Sequence, residues 1–268
     1  MKTTTFRRAL LILLFAAMAA VPVVAQAQKP EKPAGEQEVL PSGREVLARF
    51  FKAIGGKEAA ARVKSYHAKG QIEMGGIKGT IEIYAAKPNK VLVNTTIPGA
   101  GRISSGFNGA IGWTENDLTG PILLEGKALE QVEEQGDLYS FLEDESNFKK
   151  VETLGKSDFE GKPCYRVSLV TRSGNELVKY FDVASGLLIG FTGKQDSPFG
   201  ETEITSVFSD YKMIGDLKVA MKLTQRLGPI SMVTILESIE QNQVDLAIFV
   251  LPPAIKALAE KEEAPKKD

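Results

Sequence analysis

Few residues in this chain could do chemistry, and they stand far apart. There is one histidine, His67, and one cysteine, Cys164. A lone histidine rules out the zinc motifs that pair two imidazoles. Cys164 has no second cysteine for an intrachain disulfide. Each falls on the polar side of an alternating segment, so the expectation is a solvated imidazole and an incidental small residue. No G-x-S-x-G elbow, P-loop or G-x-G-x-x-G following a strand is present. Gly155-Lys156-Ser157 has the ending of a P-loop, but Lys150 stands where its upstream glycine belongs. Glu143-Asp144-Glu145 has donors for a hard cation or paired carboxylates, although such a run reads more simply as the wet side of a helix end. Asn94-Thr95-Thr96 matches a glycosylation sequon by pattern only and reads more simply as strand. The sequence therefore predicts a protein that is not an enzyme, with no catalytic residue, no metal and no cofactor.

What the chain does offer is scaffold. From Phe148 to Glu240 it reads as successive antiparallel strands. In 216–227 the odd positions Leu217, Val219, Met221, Leu223 and Leu227 are apolar, while Lys218, Lys222, Thr224 and Arg226 are polar. That alternation marks a strand with one wet and one buried face. Tyr165, Val167 and Leu169 repeat it against Arg166 and Ser168. Ser173-Gly174-Asn175, Ala184-Ser185-Gly186, Ile214-Gly215-Asp216 and Gly228-Pro229 supply the turns.

The N-terminal half has the same grammar after a helical start. Ser42-Gly43-Arg44-Glu45 is a capping box, followed by Val46, Leu47, Phe50, Phe51 and Ile54 at helical spacing and by Gly55-Gly56 as a stop. A short Ala-rich turn spans 57–63. Tyr66, Ala68, Ile72 and Met74 alternate with His67, Lys69, Gln71 and Glu73; Ile77, Ile81 and Ile83 continue the apolar face beyond Gly75-Gly76. Asn108-Gly109 is the strongest two-residue hairpin signal in the chain. Between Pro121 and Asn147 the pattern predicts one or two amphipathic helices across the sheet.

Length and composition fit one large β domain: 268 residues, 43% hydrophobic and 25% charged. Residues 1–27 have a basic start (Lys2, Arg7, Arg8), an apolar run from Ala9 to Val24 and Ala25-Gln26-Ala27 as cleavage site, the layout of a secretory signal peptide. No cysteine near its end offers a lipoprotein anchor. Residues 28–41 are expected to be a flexible leader, 42–253 the folded domain, and 254–268 a disordered charged tail after Pro252-Pro253. The formal net charge of −1 becomes a modest acidic excess on cleavage, giving no electrostatic case for nucleic acid or for anionic lipid surfaces.

A sheet apolar on one face needs a cover, and only two modest helical segments are available. Either the interior is filled completely, or the helices sit loosely and leave room for a hydrophobic ligand. In the second case the lining should be Tyr66, Ile72, Ile81, Ile83, Val93, Phe107 and Trp113 from strands, faced by Phe50, Leu138 and Phe141 from helices.

Several stretches resemble the bacterial exported outer-membrane lipoprotein-sorting proteins, the LolA/LolB-like relatives of the periplasmic lipoprotein carrier. They are Ala53-Ile54-Gly55-Gly56, Gly106-Phe107-Asn108-Gly109 before Trp113, and Gly161-Lys162-Pro163-Cys164-Tyr165-Arg166-Val167. Tyr180-Phe181-Asp182 with Ser185-Gly186-Leu187-Leu188, and Ser209-Asp210-Tyr211-Lys212, add to the likeness. It runs from about Ser42 to Pro252. The resemblance implies a mainly β (α+β) fold, an incomplete antiparallel β-barrel closed by covering helices. It implies a periplasmic monomer that shelters lipid acyl chains or lipoproteins and meets envelope proteins as donor, acceptor or partner. A sensor or protein-interaction domain on the same half-barrel is the alternative it leaves open.

Overall fold

The computed structural model describes residues 39–136, 148–171, 176–197 and 200–263. Their frame is a 13-stranded antiparallel sheet. Six strands run outward as one meander: β1 (Ser65–Met74), β2 (Ile77–Ala86), β3 (Lys90–Ile97), β4 (Gly101–Phe107), β5 (Gly112–Asn116) and β6 (Gly120–Leu123). Seven form a second meander: β7 (Phe148–Phe159), β8 (Lys162–Thr171), β9 (Glu176–Asp182), β10 (Leu188–Ser197), β11 (Gly200–Ile214), β12 (Leu217–Leu227) and β13 (Ile230–Gln241). The two are joined where β13 pairs with β1, from Tyr66 opposite Gln241 to Met74 opposite Met232. The first and last strands are thus neighbours at the centre, and β6 and β7 form the two ends. The sheet stays open, a half-barrel rather than a closed barrel.

Pairing propagates the alternation seen in the sequence across the whole sheet. Tyr66, Ala85, Val91 and Phe107 lie in one row on successive strands, and Ala68, Ile83, Val93 and Ser105 lie in the next. Both rows belong to the face that the helices cover, called here the inner face.

Helix α1 (Gly43–Ile54) starts with the capping box: the Ser42 hydroxyl accepts from the Glu45 amide at 3.3 Å, and the Ser42 amide donates to the Glu45 carboxylate at 2.7 Å. Those hydrogen bonds hold the Glu45 carboxyl below the ordinary carboxylate range. Its apolar stripe, Val46, Leu47, Phe50, Phe51 and Ile54, is buried against Tyr165, Val167, Leu169, Phe181 and Leu217. Gly55 ends the helix at φ +121°, and a Cβ there would sit 2.2 Å from the Asp216 carbonyl oxygen. Only glycine fits so close an approach. Helix α2 (Gly56–Arg62) follows directly. Helix α3 (Gly126–Gly136) covers the other meander through Val132 and Leu129, which pack with Leu124 of the preceding link on Val91 and Phe107.

Three sequence expectations need correction. Residues beyond 253 are not a disordered tail as far as 263: Pro253–Glu263 forms helix α4, whose Ile255 is fully buried. The charge-rich composition hid one apolar anchor, and the docking surface lies on a distant part of the chain. Asn108-Gly109 is not a two-residue turn. The loop is Asn108–Ile111, with the Asn108 amide bonded to the Ile111 carbonyl and the Asn108 side chain accepting from Ala110 and Ile111. The stretch read as wholly helical after Pro121 begins with β6, paired to β5.

The outer face is polar along much of its width and covered in one place. After Gln241 the chain crosses the sheet, makes a 3-10 turn (Leu246–Phe249) and enters α4. Phe249 and Ile255 pack there on Ala86, Leu92 and Trp113.

Candidate functional site

The inner face is the candidate site. Its two ends are packed tightly, one beneath α1 and one beneath α3, where Val167, Leu169, Phe181 and Phe107 are each at most 1% exposed. Between those ends some apolar side chains are buried, such as Ile72, Ile81 and Met221, while Ile83, Val93, Val219, Leu223, Phe191, Phe208 and Ile239 are only half-buried. The rings of Phe191 and Phe208 lie 6.1 Å apart in a tilted arrangement. Phe208 is opposite Leu223, Leu223 opposite Thr234, and Thr234 opposite Ile72, which places them in one row. A completely filled core would bury these side chains as fully as their neighbours. Their partial exposure on the covered side describes an apolar surface incompletely roofed.

A polar strip crosses that surface. Gln225, Ser206, Phe191, Lys179 and Val167 form one row over five strands. Ser206 is fully buried, and the Gln225 amide donates to its hydroxyl at 3.4 Å. Lys179 is 8% exposed, with its ammonium 6.0 Å from the Phe148 ring centroid. Burial disfavours the charged form and brings its pKa down to about 7. Burial likewise pushes the Tyr66 phenol up.

Seven of the residues that the sequence proposed as a lining fall in three separate clusters. Phe50 and Tyr66 lie in or against the α1 core, Ile72 and Ile81 with Ile83 and Val93 in a second cluster, and Phe107 beneath α3. Trp113 is not with them. Gly112, not Trp113, is opposite Phe107; Trp113 is opposite Gly106, in a row with Leu92, Tyr84 and His67 on the outer face. A Cβ on Gly106 would meet the Trp113 ring at 2.9 Å, so the glycine makes room for the indole. Leu138 and Phe141 fall outside the described residues, as does Glu143-Asp144-Glu145.

His67 is not solvated as expected, and Cys164 is buried although it lies on the polar side of its alternation. His67 stacks on Tyr84 with ring centroids 4.0 Å apart, and its Nε2 is buried without a hydrogen bond. Cys164 is fully buried, and burial, helped by Asp182 and Asp158, pushes its thiol up to about 11. It is a protonated thiol at neutral pH, the opposite of an activated nucleophile. The surroundings of both went unread because strand alternation tells the two faces apart but does not say whether the second face is also covered. Sequence reading also missed Lys179, Ser206 and Phe191. A lysine between Val178 and Tyr180 carries no mark of burial, although Leu177, Lys179 and Phe181 do share a face by parity. Among the described residues no cluster of His, Cys, Asp and Glu could hold a metal ion, and no helix is long and apolar enough to cross a membrane.

No protein-family model and no curated protein matches the sequence. Solved structures do match the architecture. The crystal structure of a LolA superfamily protein from Nitrosomonas europaea superposes with TM-score 0.53 at 11% identity, over 79% of this chain and 99% of that one. The fold is LolA-like. A DUF1329 family protein from Desulfovibrio piger gives TM-score 0.53 at 11% identity, over 78% of this chain and 95% of that one. At such identity the likeness concerns the LolA-like fold and leaves the occupant of its inner face to the residues of this chain.

Proposed function

We propose that the protein is an exported, non-catalytic carrier that holds an acyl chain of a lipid or lipoprotein against the inner face of its half-barrel, working as a periplasmic monomer. The observation that carries this reading is the band of half-buried apolar side chains, Ile83, Val93, Phe191, Phe208 and Leu223, under an incomplete helical roof. Burying a methylene is worth about 0.8 kcal/mol, so a chain of roughly sixteen carbons gains on the order of 12 kcal/mol before ordering costs. Half of that gives a dissociation constant of roughly 40 μM, and two thirds gives about 1 μM. The signal-peptide pattern of residues 1–27 supports export, and the LolA-like fold supports a hollow of this shape.

The test is binding of a fluorescent fatty acid to the mature chain, with Ile83→Trp aimed into the hollow. The reading expects the parent to bind the probe. It expects the variant to lose binding while losing about 1 kcal/mol or less of stability. A filled interior would instead be overpacked, costing roughly 1–3 kcal/mol, and the parent would bind no probe. That pair of outcomes ends the carrier reading.

A further inference from the structure

A second surface, on the opposite side from the inner face, has its own design. The 3-10 turn is pinned from both directions. Asp245 caps it, its carboxylate accepting from the Ala247 amide at 3.0 Å, and Phe249, 6% exposed, is driven into the outer-face cluster. Fixing the turn this way points the intervening residues outward. Leu246 is 57%, Ile248 41% and Val250 71% exposed. Three large aliphatic side chains held in water on one short rigid turn are a cost that the fold itself does not require.

Two lysines stand beside them. Lys90 and Lys256 line a groove of about 390 Å³ with Leu246, Val250 and Asn108, and the Lys90 ammonium donates to the Asn108 carbonyl. Lys64 and Lys87 stand at the same end of the sheet, where the Lys87 amide donates to the Lys64 carbonyl at 2.9 Å. Two carboxylates share the neighbourhood: Asp245 is turned to its own turn, and Glu260 lies 3.8 Å from Lys256. The balance remains positive on a chain whose formal net charge is −1. Aliphatic side chains presented outward beside Lys90 and Lys256 match the two components of an anionic phospholipid surface, acyl boundary and phosphate.

The geometry points to a membrane-docking corner: the turn at 246–250, with Lys90 and Lys256, seats on the surface of an anionic phospholipid bilayer. This binding is peripheral and reversible, since three aliphatic side chains bury far less than a spanning helix. It is separate from the inner face and stands whether or not that face takes an acyl chain.

Co-sedimentation of the mature protein with phosphatidylglycerol-containing vesicles, against pure phosphatidylcholine vesicles, tests it. The parent should bind the anionic vesicles preferentially and release them in high salt. Leu246→Gln with Val250→Gln should cut partitioning by roughly tenfold or more, and Lys256→Gln should cut it by about fivefold, the effect of one lysine at an anionic surface. All three positions are exposed, so circular dichroism should confirm an unchanged fold. Equal binding to both vesicle types, absence of binding, or binding that neither variant weakens overturns the proposal. So does a dimer in the parent that the double variant dissolves, because the aliphatic turn would then serve a second copy of this chain.

Discussion

Lys179→Met removes a buried charge from the polar strip and replaces it with a side chain of similar length. The folded protein holds the Lys179 pKa at about 7 because burial penalises the ammonium, whereas the unfolded chain titrates near the ordinary lysine value of about 10.4. The sign follows from proton counts. Below about pH 7 both states carry the proton and the burial penalty is fully present. Between the two pKa values the unfolded state holds more protons, so stability should rise with pH by up to about 1.4 kcal/mol per unit. From pH 7 to 9 this amounts to about 2 kcal/mol, because half of the folded molecules have already lost the proton at pH 7. The variant has no such group. It should be more stable than the parent at pH 7, and its advantage should shrink by about 2 kcal/mol by pH 9. Urea unfolding at pH 7, 8 and 9 measures this, followed by far-UV circular dichroism and by fluorescence of Trp113, which is 5% exposed. A gap that stays constant with pH, or a variant less stable throughout, would mean that the ammonium is held by an opposite charge, and the burial argument would fall.

Other expectations follow from individual contacts. Ile255→Ala should cost about 2–5 kcal/mol and speed hydrogen exchange in 246–263, since Ile255 is the fully buried anchor of α4; unchanged exchange there would contradict the docking of α4. Gly55→Ala should destabilise by roughly 1–3 kcal/mol, because φ is +121° and the new methyl would meet the Asp216 carbonyl oxygen at 2.2 Å; chemical denaturation checks it. Ser42→Ala should lose about 1 kcal/mol with the capping box, also by denaturation. Cys164 should react with a thiol reagent only at the rate of unfolding, because its sulfur is buried and protonated; rapid labelling of the native protein would refute this.

Much of the half-barrel was legible because strand parity is a local property. The alternation from Leu217 to Leu227 and from Tyr66 to Met74 sorted residues onto faces correctly, and the capping box at Ser42 fixed where α1 starts. Trp113 lies on the other face from Phe107 because Phe107 is opposite Gly112, a parity that the expected two-residue turn would also have given, so strand alternation alone could have placed it. What stayed hidden depended on distant partners. The order of α4 depends on a patch made by Ala86, Leu92 and Trp113, which no local pattern around Ile255 reveals. Lys179 is buried by residues that meet only in the folded sheet. Of the proposed lining, the β1–β4 contribution was readable from alternation, whereas the β9–β12 half with Phe191, Phe208 and Ser206 emerged only from register.

The pairing of β1 with β13 has a consequence for biogenesis. A chain delivered N-terminus first presents β1 to β6 while the partner of β1 has not yet arrived. For that interval the strand destined for the centre of the sheet is a bare edge, with Ala68 and Ile72 open to any complementary strand. Productive assembly must wait for residues almost at the far end of the chain, a closure of high sequence separation and hence a slow one. Lys69, Gln71 and Glu73 along the same strand then act as gatekeepers, charged or polar at alternate positions and unfavourable for stacking against a foreign copy. Loss of the C-terminal strand would not trim this protein at its margin. It would cut the sheet through the middle, leaving two half-sheets with β1 and β12 as their new edges.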